Sequence, residues 1–184
     1  KEFIRDMFDK KEANNIAFPP KGGGDNDTIG YACEVIKRFK PTLTVIHLSS
    51  VDSCHSNFSS YLRNIHASDH GTAHLWDFIQ NQIPEMAGNT AMIVMPEHGR
   101  NDEANGIIDQ NAFFAYDHSD ANARRIFGMM VGPNIDSNLS IGSETNQIGD
   151  IVNVAPTIAE ILGFKNDMLS TGLTASSQSL FDLI

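Results

Sequence analysis

Cysteine is scarce in this chain of 184 residues, which holds only Cys33 and Cys54. Two cysteines without metal-type spacing exclude a disulfide framework and a cysteine-built zinc module, and they leave the compartment open. Long apolar runs are missing too. The longest, Ala91 to Met95, falls far short of the ~20 residues a membrane helix needs, so no membrane span is expected. Basic charge is in deficit, with 13 Lys+Arg against 23 Asp+Glu and a net charge of −10. Such a surface repels a phosphate backbone, which excludes nucleic acid bound through a basic patch. The run Gly22-Gly23-Gly24 lacks the Gly-Lys-Ser/Thr that a phosphate-cradling loop requires and reads as a flexible connection. No internal repeat is visible. The chain opens on Lys1-Glu2-Phe3-Ile4-Arg5-Asp6, with neither a signal-peptide pattern nor an initiator Met, and is expected to be cut from something longer.

What is present is ordinary globular material, 41% hydrophobic, with seven histidines. Residues 1–25 read as a helix fragment followed by a loop or linker. Asp25 or Asp27 is placed to cap a helix running to about Lys40, with Ile29, Ala32, Val35 and Ile36 on one face and Pro41 as its stop. Thr42–Leu48 (TLTVIHL), Thr90–Met95 (TAMIVM) and Arg125–Val131 (RIFGMMV) are β-branched and apolar, and read as buried strands. A helix is expected between the first two, from about Asn57 to Gln82, with Leu75, Trp76, Phe78 and Ile79 inward. Another is expected from about Asp150 to Leu162, closed by Gly163. Residues 99–123 form an Asn/Asp-rich excursion. Strands alternating with helices predict an α/β unit spanning 1–184, with a mostly parallel sheet flanked by helices.

In such sheets ligands gather beyond the carboxyl ends of the strands. Asp52-Ser53-Cys54-His55 follows the first strand, Glu97-His98-Gly99-Arg100 the second, and Asp117-His118 lies in the excursion before the third. Three carboxylate–histidine pairs thus fall at or near one sheet edge. Mixed oxygen and imidazole donors suit Zn²⁺ or Mn²⁺ better than Mg²⁺. A bound cation would also let an acidic protein accept an anionic substrate.

These strings, VDSCH, PEHGR, DHSD and the tail DIVNVAPTIAEILG, together resemble the C-terminal half of the alkaline phosphatase superfamily. That group includes phosphatases, nucleotide phosphodiesterases, sulfatases and cofactor-independent phosphoglycerate mutases. The resemblance runs from about residue 26 to 184. It implies an alkaline-phosphatase-like sheet without its N-terminal half, and two divalent metal ions. Asp52, His55 and His118 match the ligands of one ion, and Glu97 and His98 those of the other. His55 follows Asp52 by three residues where the family places four, and Glu97 stands where the family has Asp. The family's nucleophile and one further metal-binding Asp lie in the half not seen here, which would be a partner of this one.

The implied function of the full-length parent is two-metal phosphoryl transfer, as a phosphoester hydrolase or phosphotransferase acting on a small anionic phospho- or sulfo-ester. The 184-residue piece by itself is expected to be inactive. A sulfatase of the same superfamily and a non-catalytic α/β module that has lost the chemistry are the alternatives. Arg100 is the candidate contact for the substrate anion, and Asp109 and Asn111 are candidates for lining its pocket. His66, His70 and His74 recur at helical spacing but read as the polar outer face of their helix. His47, inside a strand, reads as a core or supporting histidine, and Cys54 as structural.

Overall fold

The computed structural model describes residues 1–20, 24–106 and 115–184. The backbone divides into two compact units, Lys1–Pro133 and Asn134–Ile184. Helix makes up 43% of the structure, and the sheet among the described residues has two antiparallel strands, β1 (Met92–Val94) and β2 (Met129–Val131). Among the described residues no helix is long and apolar enough to cross a membrane.

The expected parallel sheet flanked by helices is therefore not what these residues form. Two of the three expected strands pair with each other, Met92 opposite Val131 and Val94 opposite Met129. Parallel pairing needs a crossover that returns the chain to the starting end, usually through a helix. The connection between β1 and β2 instead doubles back on itself. Within it Gly99 N–H donates to Ala123 O, Asn101 N–H to Asp117 O and Asn105 N–H to Ala115 O, at 2.7, 2.8 and 3.1 Å. A segment folded back in this way can only deliver an antiparallel neighbour.

The segment 42–48 joins no ladder. It runs extended with Ile46 and Leu48 laid against the helical core, while Leu43 and Val45 remain exposed. Apolar, β-branched composition favours an extended backbone, but a strand exists only where another edge accepts its hydrogen bonds. The alternation puts His47 on the exposed face, not in the core as its strand position predicts.

The core of the first unit is helical. Helix α1 (Glu2–Glu12) precedes α2 (Asp25–Phe39) and the long α3 (Phe58–Gln82). Ile29, Cys33 and Ile36 of α2 meet Leu75, Phe78 and Ile79 of α3, joined by Ala17, Phe18 and Ile83. This is the i, i+3, i+4, i+7 spacing of an inward stripe. The Cys33 thiol, buried there, is pushed up to about 12 by loss of solvation. Lys10 of α1 reaches the buried Glu34 of α2 at 2.6 Å.

The second unit is built on α4 (Val154–Ile161) and the short α5 (Lys165–Ser170). Asp150 and Asn153 form a capping box at the one-turn 3-10 helix Ile151–Asn153 that leads into α4, satisfying N–H groups a helix start leaves open. Gly163, at φ 79°, ends α4 in the left-handed conformation glycine adopts without penalty. Thr157, fully buried, donates to Asn153 O and accepts the N–H of Leu180 at 2.8 Å, stapling the C-terminal residues to the helix.

Candidate metal centre

Three separate stretches of the first unit build the site, and ordinary backbone chemistry fixes each one. The turn 50–55 leaves the extended segment under the control of Asp25. Sequence pattern makes Asp25 or Asp27 a helix cap, but Gly24 takes that position and no side chain caps α2. The buried Asp25 carboxylate instead accepts the N–H groups of Ser49 and Ser50 and the hydroxyl of Ser68. Asn64 of α3 donates to Ser50 O and to Cys54 Sγ. Cys54 is thus structural, packed beneath the turn that presents Asp52 and His55.

The second stretch, 96–100, follows β1. Gly99 is required there by close approach: a Cβ would sit 2.9 Å from the carbonyl oxygen of Arg125 and 3.0 Å from that of Asn122. The third stretch, 115–123, is tied to the second by Asn101, which is 6% exposed. Asn101 Oδ1 accepts the N–H groups of Ser119 and Asp120. Asp120 in turn accepts from Ala123 and Asp102 N–H. The Ala123 N–H above all holds the Asp120 carboxyl below the usual carboxylate range. An Asn/Asp-rich loop is expected to bond its own backbone in this way. That composition is the sequence signal for Asn101 and Asp120 as supports of the stretch that bears His118.

Asp52, His98 and His118 come together, one potential ligand atom of each lying within 4.8 Å of the others. Asp52 Oδ1 lies 3.4 Å from His98 Nε2 and 3.5 Å from His55 Nε2. The His98 and His118 rings are 4.3 Å apart, and those of His55 and His118 6.0 Å. Four of the five expected ligands therefore share one patch. The grouping cuts across the two sets that the resemblance implies, since His98 joins Asp52 and His118 while His55 stands beside them. Glu97 is exposed and lies outside the three-residue group.

Hydrogen bonding decides what the ring nitrogens can do. His98 Nδ1 sits 2.8 Å from Gly99 O, and His55 Nδ1 3.2 Å from Tyr116 O. A carbonyl can only accept, so each Nδ1 carries the proton. In the neutral rings both Nε2 atoms then carry a lone pair on the side where Asp52 Oδ1 lies. His118 Nε2 lies 3.1 Å from Asp117 Oδ1, which sets that carboxylate beside the ring. A carboxylate or carbonyl behind each imidazole is the arrangement that orients histidine ligands. One carboxylate with two imidazoles is also a donor set that Zn²⁺ or Mn²⁺ accepts, so the residues present fit such an ion.

Other sequence candidates fall elsewhere. Arg100 reaches backbone carbonyls of the 50–55 turn. Asp109 and Asn111 lie outside the described residues. His66 and His70 are exposed. His74, expected on the outer face of α3, is half-buried, with Nε2 3.1 Å from Ala17 O and its ring stacked on Phe78. Tyr61 and Tyr116, which flank Arg100, carried no signal in the sequence. No family model matches this chain, and no curated protein or solved structure matches it.

Proposed function

We propose that this chain carries the metal-binding part of a metal-dependent phosphoester hydrolase or phosphotransferase, and that Asp52, His98 and His118 hold a divalent ion. The observation that supports this reading most is Asp52 Oδ1 facing two imidazole Nε2 atoms at 3.4 and 3.5 Å, each ring anchored through its other nitrogen. The acid–histidine strings at 52–55, 97–98 and 117–118, which resemble the alkaline phosphatase superfamily, give the reaction class. Of the two ions implied there, the resemblance gives the second to Glu97 and His98, whereas His98 joins Asp52 and His118 here.

A divalent ion in this place would polarise an ester oxygen and favour the deprotonated form of a nearby hydroxyl or water. The chain's own residues would do the rest of the positioning. Asp52 supplies the negative donor, and Gly99 O and Tyr116 O keep the rings of His98 and His55 from turning. Asp117 holds His118. Asn101 and Asp120 keep the loop that bears His118 against the turn after β1. The nucleophile is not assigned to a residue of this chain. With Zn²⁺ or Mn²⁺ the 184 residues should not turn over an aryl phosphate through a covalent intermediate.

The direct test is titration calorimetry with inorganic phosphate on metal-free and Zn²⁺-loaded protein. The reading requires phosphate to bind only to the loaded form, because the apo surface is acidic. Phosphate binding that ignores the metal, or no binding to the loaded protein, would overturn it.

A further inference from the structure

We infer that Arg100 is a positioning residue for this metal site, a clamp that fixes the distance between the turn carrying Asp52 and the stretches carrying His98 and His118. The inference rests on the proposed metal site. It assigns Arg100 a role other than contact with a substrate anion.

The guanidinium donates through Nη1 to Cys54 O at 2.8 Å and through Nη2 to His55 O at 2.7 Å. It lies over the rings of Tyr61 and Tyr116, 4.8 and 5.0 Å from their centroids. The same His55 carbonyl accepts the N–H of Tyr116 at 3.0 Å, and Tyr116 O receives the His55 ring. Arg100's own carbonyl accepts from Asn122. One side chain therefore joins four pieces: the 52–55 turn, the first turn of α3, the stretch after β1 and the segment before His118. The fork lies over two aromatic rings, and its donors are spent on adjacent carbonyls.

A planar fork that bonds two adjacent carbonyls and lies over two aromatic rings is a geometry lysine does not reproduce, since an ammonium has no flat face and spreads its donors in three directions. The three ligands come from segments with few regular-structure contacts, so their separation depends on ties of this kind. Removing a group behind metal ligands costs about 10–100-fold in metal affinity. Arg100→Lys, which keeps the charge, should therefore behave as a loss.

The test uses Co²⁺ as the probe, because its visible absorption reports ligand geometry, on the whole 184-residue chain. Arg100→Lys should bind Co²⁺ about 10–100-fold more weakly than wild type, with an altered visible band and unchanged helix content. Tyr61→Phe, which keeps the ring, should match wild type, whereas Tyr61→Leu should move in the direction of Arg100→Lys. Without metal, amide exchange at residues 54–56 and 116 should be faster in Arg100→Lys. Wild-type Co²⁺ affinity and spectrum in Arg100→Lys would overturn the clamp. Failure of wild type itself to bind Co²⁺ would overturn the metal site, and the metal-free exchange would still judge the clamp: unchanged rates reject it.

Discussion

Two polar clusters, one in each unit, use similar side chains in different ways. In the second unit Lys165 Nζ reaches Glu160 at 2.8 Å and Asp182 at 2.5 Å, and Ser179 bonds to both carboxylates. The lysine, chiefly, draws both carboxyls below their ordinary range, and they draw the ammonium above its own. That cluster carries its own cation. In the first unit Asp52 faces imidazole nitrogens whose protons are committed elsewhere, and Asp117 lies behind His118. Arg100 spends its fork on backbone carbonyls. A cluster that closes its charge internally holds a fold together, whereas one that leaves lone pairs converging is built to receive something.

The largest expected effect separates the two clusters by metal affinity. Asp52→Ala should weaken Zn²⁺ binding by more than the ~100-fold that loss of a supporting group can cost, because it removes the charged donor itself. The metal-free protein should unfold at the same temperature as wild type, since Asp52 is exposed. Calorimetric titration and thermal unfolding on the same sample check both halves. A matching loss from Lys165→Met would erase the distinction.

The next effect is one of stability and belongs to the second unit. Thr157→Val keeps the shape but removes the acceptor for Leu180 N–H, and should cost about 1–3 kcal/mol by urea unfolding, with Zn²⁺ affinity unchanged. Acid gives a third contrast. The folded-state values of Glu160 and Asp182 are lowered, so their contribution is complete above the ordinary 4.5 and 3.8 and is lost as pH falls below these. Lys165 is raised, so its share is present below 10.5 and lost as pH climbs past that. NMR signals of the Leu180 and Asp182 amides in mild urea should therefore report opening of this unit at pH 3 and not at pH 6. The smallest effect is that of His74→Ala. It removes one hydrogen bond to Ala17 O and should cost about 0.5–1.5 kcal/mol without touching metal affinity. Loss of binding there would point to the helical histidines instead.

How far the sequence could be read follows the same division. Helices were legible from apolar periodicity and stops: α2 ends at Phe39 before Pro41, and α3 covers Phe58–Gln82 as its pattern requires. The acid–histidine pairs were legible because their chemistry is local and repeated. Strand partnership was not, because TLTVIHL specifies an extended backbone and not the edge that must receive it, and β1–β2 direction depends on how the loop between them folds. The support of the site was equally hidden. Tyr61 and Tyr116 act through segments far apart in the chain, and nothing in their local composition marks that. Glu97, adjacent to His98 in sequence, is exposed and lies outside the group that His98 joins, a separation only the fold decides.

The most direct test of the central claim is a long-range ¹H–¹⁵N NMR spectrum of the histidine rings during Zn²⁺ titration. Before metal, His55 and His98 should show the Nδ1-protonated form, as their carbonyl partners dictate. One equivalent of Zn²⁺ should shift His98 Nε2 and one ring nitrogen of His118 together, and leave His66, His70 and His74 in place. Rings at 98 and 118 that ignore the ion, or helical histidines that move in their stead, would contradict the account.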